Sequence, residues 1–136
     1  MNKTPYIIWE DDYLVGNDEM DMHHNRMFGI INDLYEMMRD SASGSNVTDL
    51  LKRTLEYAQM HFVAEETLIG STQYPGLEEQ RQAHRGYVRA LTKLVNENAL
   101  SENALAEDLL HFLKEWWLNH ILRMDMNYVP FLRKKD

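Results

Sequence analysis

Four separate stretches of this chain repeat apolar residues at steps of three and four, and each repeat is broken by a side chain that a core ordinarily rejects. The first runs Met20, His24, Met27, Ile31, Leu34 and Met38, and the second Leu51, Thr54, Ala58, His61, Glu65 and Leu68. The third is Leu77, Gln80, His84, Tyr87, Leu91 and Leu94, and the fourth Leu105, Leu109, Phe112, Trp116 and His120. That spacing belongs to amphipathic helices, and the alternation of a strand is nowhere sustained, so the chain reads as all-α. The punctuation agrees: loop chemistry in "SASGSN" at 41–46, a Pro-Gly turn in "STQYPG" at 71–76, a close near "NEN", and Ser101 placed to cap the fourth helix.

Helices joined by such short connections run antiparallel to their neighbours, which predicts an up-down-up-down antiparallel four-helix bundle. A length of 136 residues with 44% hydrophobic content supplies one core, hence a single domain over 1–136, with the bundle at 18–125. The N-terminal arm, 1–17, carries Tyr6, Ile7, Ile8, Trp9, Tyr13 and Leu14 and is too apolar to float free, so it is expected to pack across the bundle. The short C-terminal tail, 126–136, is expected to leave the last helix at Pro130.

Composition removes several chemistries. There is no cysteine, which excludes disulfides, thiolate metal sites, iron–sulfur clusters and thiol nucleophiles and leaves histidine and carboxylate for any redox work. A net charge of −8 argues against a nucleic-acid partner. No secretory leader and no membrane-length apolar run are visible, so no membrane partner and a cytoplasmic location are the expectation.

A single histidine on an apolar stripe is usually a hydrogen-bonded core residue. Here all four stripes carry a metal-capable or polar group, and their convergence favours a shared cation site. His61 and Glu65 stand four apart, as do Gln80 and His84, so each pair is stacked on one helix face. His120 and Asp125 are five apart, and a bulge or a bridging pose is needed to bring them together. Carboxylates among imidazoles make a poor core and a reasonable seat for two cations, whose charge they offset.

Over nearly its whole length the chain resembles the hemerythrin family, of the single-domain bacterial kind. The matching elements are Trp9 followed by "YLVG" at 13–16, "DMHH" ending on His24 with Asn32 eight further on, "HFVAEE" from His61, "YPG" followed by His84, and "WWLNHILRMD" from Trp116 to Asp125. The resemblance implies a non-haem centre of two iron ions with an oxo or hydroxo bridge that binds dioxygen, or another small diatomic ligand, reversibly. By the same resemblance, His24 and His61 are ligands of the iron with an open position, His84 and His120 of its partner, and Glu65 and Asp125 bridge them.

The family's remaining histidine falls on Gln80, a neutral and weaker donor. Gln80 can ligate through oxygen, hydrogen-bond a water in the vacancy, or turn away and leave a second open position; contact is preferred, because an unpaired buried amide is costly. His23 points about 100° away from His24 and reads as a surface histidine or one behind the ligands. His111 reads as exposed.

Trp117 stands where the family usually has a leucine, and with Met27, Phe62, Trp116 and Ile121 it matches an apolar oxygen pocket; pointing inward, it would narrow or fill that pocket. No tyrosine, glutamate or lysine is assigned to the pocket as a proton donor. Three functions compete: reversible dioxygen binding as carrier, store or sensor; a di-iron enzyme with peroxidase-, nitric-oxide-reductase- or ferroxidase-like activity; and a metal-altered interaction module.

Overall fold

The computed structural model describes residues 5–39, 45–98 and 100–132. Its long helices are α1 (Asp18–Arg39), α2 (Ser45–Gly70), α3 (Leu77–Glu97) and α4 (Glu102–Arg123), followed by a 3-10 turn (Asp125–Tyr128) and a short α5 (Val129–Leu132). Each long helix packs on its sequence neighbours, α4 closes back on α1, and α4 also touches α2 across the bundle. The four-helix bundle is therefore as expected, and no strand occurs among the described residues. None of the helices is long and apolar enough to cross a membrane, among the described residues.

Local chemistry sets the helix starts. The Asn17 side chain accepts the Met20 N–H at 3.0 Å, and three acidic residues in the first turn of α1 complement its dipole. Just before it, Gly16 takes φ +90°, a left-handed conformation that suits glycine. The Asp21 carboxylate then clamps that bend by accepting the Val15 and Gly16 N–H groups at 2.7 and 3.2 Å. At α3 the Tyr74 ring folds over Gly76 so closely that an added Cβ would lie 2.6 Å from it. Ser101 caps α4 through the Ala104 N–H, as its position predicts.

Three expectations need correction. The loop signal at 41–46 is too long, because α2 already begins at Ser45; positions 41–44 lie outside the described residues. On α4 the buried line runs through Leu109, Leu113, Trp117 and Ile121, while Phe112 and Trp116 are only half-buried. The cause is that α4 packs on three helices, so its apolar face is wide and its centre lies one residue further along. The chain also does not leave α4 at Pro130: α4 ends at Arg123, and Pro130 sits at the second position of α5, where its missing N–H breaks no helical hydrogen bond.

The arm does cross the bundle. Ile7 is buried, and its N–H and C=O pair with the Asn32 side chain at 3.0 and 2.9 Å, while Trp9 and Tyr13 set their rings against Phe28. Ile8 and Leu14, however, face outward. The interior divides into a large apolar cluster, including Met27, Ile31, Ala58, Leu91 and Leu113, and a small one of Val15, Met20, Ile69 and Tyr128. Along α1, His24 lies between Met20 and Met27; along α2, His61 and Glu65 lie between Ala58 and Ile69. The polar intrusions thus form one layer between the two clusters.

Candidate metal centre

In that layer the helices bring together His24 from α1, His61 and Glu65 from α2, Gln80 and His84 from α3 and His120 from α4, and the 3-10 turn adds Asp125; all are buried. Two groups have ligand atoms close enough to hold an ion each, His24 with His61 and Glu65, and Glu65 with His84 and His120. Glu65 belongs to both. The His24 and His61 Nε2 atoms are 3.2 Å apart, and Glu65 Oε1 stands 3.7 Å from His61 Nε2 and 3.1 Å from His84 Nε2. Asp125 spans the same two groups, Oδ2 lying 3.3 Å from His24 Nε2 and Oδ1 3.2 Å from His120 Nε2.

Its reach depends on where α4 stops. At Met124 the α-helix gives way to the 3-10 turn, which brings Asp125 back beside His120 despite the five-residue spacing. The expected local irregularity is therefore a helix end.

Electrostatics sharpen the picture. Burial works against charge on His24, but the Asp125 carboxylate beside it, with Glu65 behind, outweighs that and raises its pKa. Burial, with the charge of His24 beside it, pushes His61 well below the usual histidine value. For His84, burial is outweighed by Glu65 and Glu66, and its pKa is raised. Burial would lift Asp125, yet His120 and His24 hold it well below the ordinary carboxylate range.

Several buried atoms lack a hydrogen-bond partner: Gln80 Oε1, His120 Nε2, Asp125 Oδ2 and His24 Nδ1. Unmet acceptors of this kind are costly in a core, and the first three lie in the layer where Glu65 and Asp125 meet the imidazoles. Two fully buried carboxylates, neutral nitrogen donors and one amide oxygen suit hard or borderline divalent cations, so the residues present fit a pair of metal ions.

A sequence model described as "Hemerythrin HHE cation binding domain" matches residues 15–132. The chain belongs to the hemerythrin family. It is 31% identical over 120 residues to a hemerythrin-like protein of Naegleria gruberi, covering 88% of each chain. It is 30% identical over 125 residues to the myohemerythrin of Riftia pachyptila, covering 92% of each. With the bacteriohemerythrin of Clostridium acetobutylicum it shares 25% identity over 126 residues, 90% of this chain and 98% of the relative.

In this hemerythrin-family chain Gln80 does not turn away. Its Nε2 donates to Asp125 Oδ1 at 3.0 Å and its Oε1 is left without a partner. His23 is not at the surface: it is buried, and its Nδ1 lies 2.9 Å from His61 Nδ1. His111 is exposed as expected. Trp117 points inward, fully buried, with its ring centroid 6.3 Å from His24 and 5.8 Å from His61 and its N–H donated to the Tyr87 hydroxyl at 3.3 Å. Phe62 stacks on His84 at 3.9 Å and half-buried Trp116 on His120 at 4.3 Å, so these two rings lie over the partner group, while Met27 and Ile121 are fully buried.

Two contributors escaped the sequence reading. Tyr128 donates to Glu65 Oε2 at 2.7 Å, and burial with the charges of Glu65 and Asp125 raises its pKa far out of the titrating range. The available signal was its place three residues after Asp125, in the expected tail. Glu66 lies 2.7 Å from His84 Nδ1, a role that the second glutamate of "HFVAEE" could have suggested.

Proposed function

We propose that this chain is a non-haem di-iron protein that binds dioxygen reversibly, as a cytoplasmic carrier, store or sensor. The observation that supports it is the pair of buried groups sharing Glu65 and spanned by Asp125. His24 and His61 would hold one iron and His84 and His120 its partner, with Glu65 and Asp125 between them. Two ferrous ions, when bound, supply the electrons and the open position that capture dioxygen.

The chain's own side chains do the rest. Fully buried Trp117, its ring 5.8 Å from His61, would exclude water from the His24–His61 side and narrow the space left for a ligand there, with Met27 and Ile121 buried in the same core. Tyr128 keeps its proton and fixes Glu65 through Oε2. Gln80 steadies Asp125 through its amide N–H and offers Oε1, a neutral oxygen donor, where the family has imidazole. The test is an anaerobic ferrous titration followed by oxygen: a charge-transfer band that reverses under vacuum is expected, and rapid irreversible oxidation would refute reversible binding.

One observation favours a second reading, a di-iron enzyme. A groove of about 440 Å³ between α3 and α4 is lined by Ala83, Trp116, Arg123 and His120 itself, giving a small substrate an approach to the half that holds Gln80. Sustained oxidation of a reductant, with no stable oxygenated spectrum, would select it. Metal analysis of protein purified without added iron separates both from an interaction module that holds other metals or none.

A further inference from the structure

We propose that His23 is a positioning residue that fixes the tautomer of His61 and so aims its Nε2 lone pair into the centre. The inference rests on the metal-binding reading above, but its geometry is independent of which metal is bound. His61 Nε2 faces His24 Nε2 at 3.2 Å and Glu65 Oε1 at 3.7 Å, inside the polar layer. A neutral imidazole has one N–H, so a lone pair at Nε2 requires the proton on Nδ1. Buried N–H groups need an acceptor, and the one beside His61 Nδ1 is His23 Nδ1 at 2.9 Å.

Only one proton fits between two Nδ1 atoms, and placing it on His61 leaves His23 the acceptor, with its own proton on Nε2. That nitrogen faces outward, 3.6 Å from the exposed carboxylate of Glu19 one turn earlier on α1. The edge-on contact of His23 with the Tyr57 ring, centroids 5.8 Å apart, holds its plane. His84 has its outer nitrogen against the Glu66 carboxylate instead, so each half of the centre aims a histidine from behind, by a different acceptor. Position 23 immediately precedes the candidate ligand His24 without belonging to the set, because one helical step turns it from the centre toward His61 of α2.

The experiment uses the full chain with 15N-labelled histidine. In the metal-free wild type, two-bond 15N–1H correlations are expected to show His61 protonated at Nδ1, and zinc titration against a chromogenic chelator gives the reference affinity. His23→Leu is expected to move the His61 proton toward Nε2 and weaken zinc binding by about 10- to 100-fold, whereas His23→Gln, whose carbonyl oxygen can accept, restores the Nδ1–H form and most of the affinity. A wild-type His61 protonated at Nε2, or a folded His23→Leu protein with wild-type tautomer and zinc affinity, would overturn the assignment. If His23→Leu does not fold, the wild-type spectrum and the His23→Gln rescue decide it. A wild type with the Nδ1–H tautomer that takes up no cation counts against the metal reading instead.

Discussion

The two halves of the polar layer are built from the same parts and balanced differently. On one side His24 and His61 face each other at 3.2 Å, His61 is backed by a second imidazole, and the fully buried Trp117 closes the surroundings. On the other, His84 is backed by a carboxylate, His120 borders a groove open to solvent, and the Gln80 amide donates to Asp125. An imidazole acceptor leaves His61 a less electron-rich ring than a carboxylate leaves His84, while the His84 half sets a neutral amide beside its two imidazoles. The difference teaches that one half is closed by packed rings while the other lies behind a more open wall, which on the proposed reading suits the first to protecting a small ligand.

The comparison breaks entirely if the shared carboxylate is removed. Glu65→Ala is expected to abolish binding at both halves, with a loss of at least about 100-fold and metal content falling toward zero by elemental analysis; retention of one ion would show that the halves do not depend on Glu65 alike. Trp117→Leu comes next. Cavity formation beside His24 and His61 should lower unfolding stability by about 2–4 kcal/mol in denaturant titration and quicken azide entry on the closed side. Gln80→His is expected to tighten the open half by at least about tenfold, or about 1.4 kcal/mol, leaving the other half unchanged; equal retention would mean the amide takes no part.

The smallest effect is the pH profile of the metal-free protein. His24 and His84 have raised folded-state values, so the stability they contribute is complete below the unfolded value of 6.5 and is lost as pH rises through those raised values. His61 is lowered, so it costs stability as pH falls below 6.5 toward its depressed value. The His24–His61 half thus falls away on both sides of 6.5, and His84→Gln should flatten only the alkaline limb in chemical denaturation across pH.

Much of this was legible because helices repeat. Residues three and four apart share a face, so the stripes alone bring His24, His61, Glu65, Gln80 and His84 to one layer, and loop signals give the bundle. What periodicity cannot carry is anything one step off the stripe or past its end. His23 and Glu66 each sit next to a candidate ligand and meet a partner on another helix, so their contacts become visible only when the relative rotation of α1, α2 and α3 is known. Asp125 and Tyr128 lie after α4 has stopped, where a 3.6-residue period no longer says which way a side chain points. The off-centre face of α4 has the same origin, since its burial follows from three neighbours and not from its own sequence.

The 3-10 turn after α4 ties the two ends of the chain to the interior at one place. Asp125 enters the polar layer, Tyr128 grips Glu65 and packs with Val15 of the arm, and Val15 is anchored in turn to the head of α1. If the layer holds cations as proposed, removing them would slacken the arm and the turn after α4 before the large apolar cluster beyond the layer.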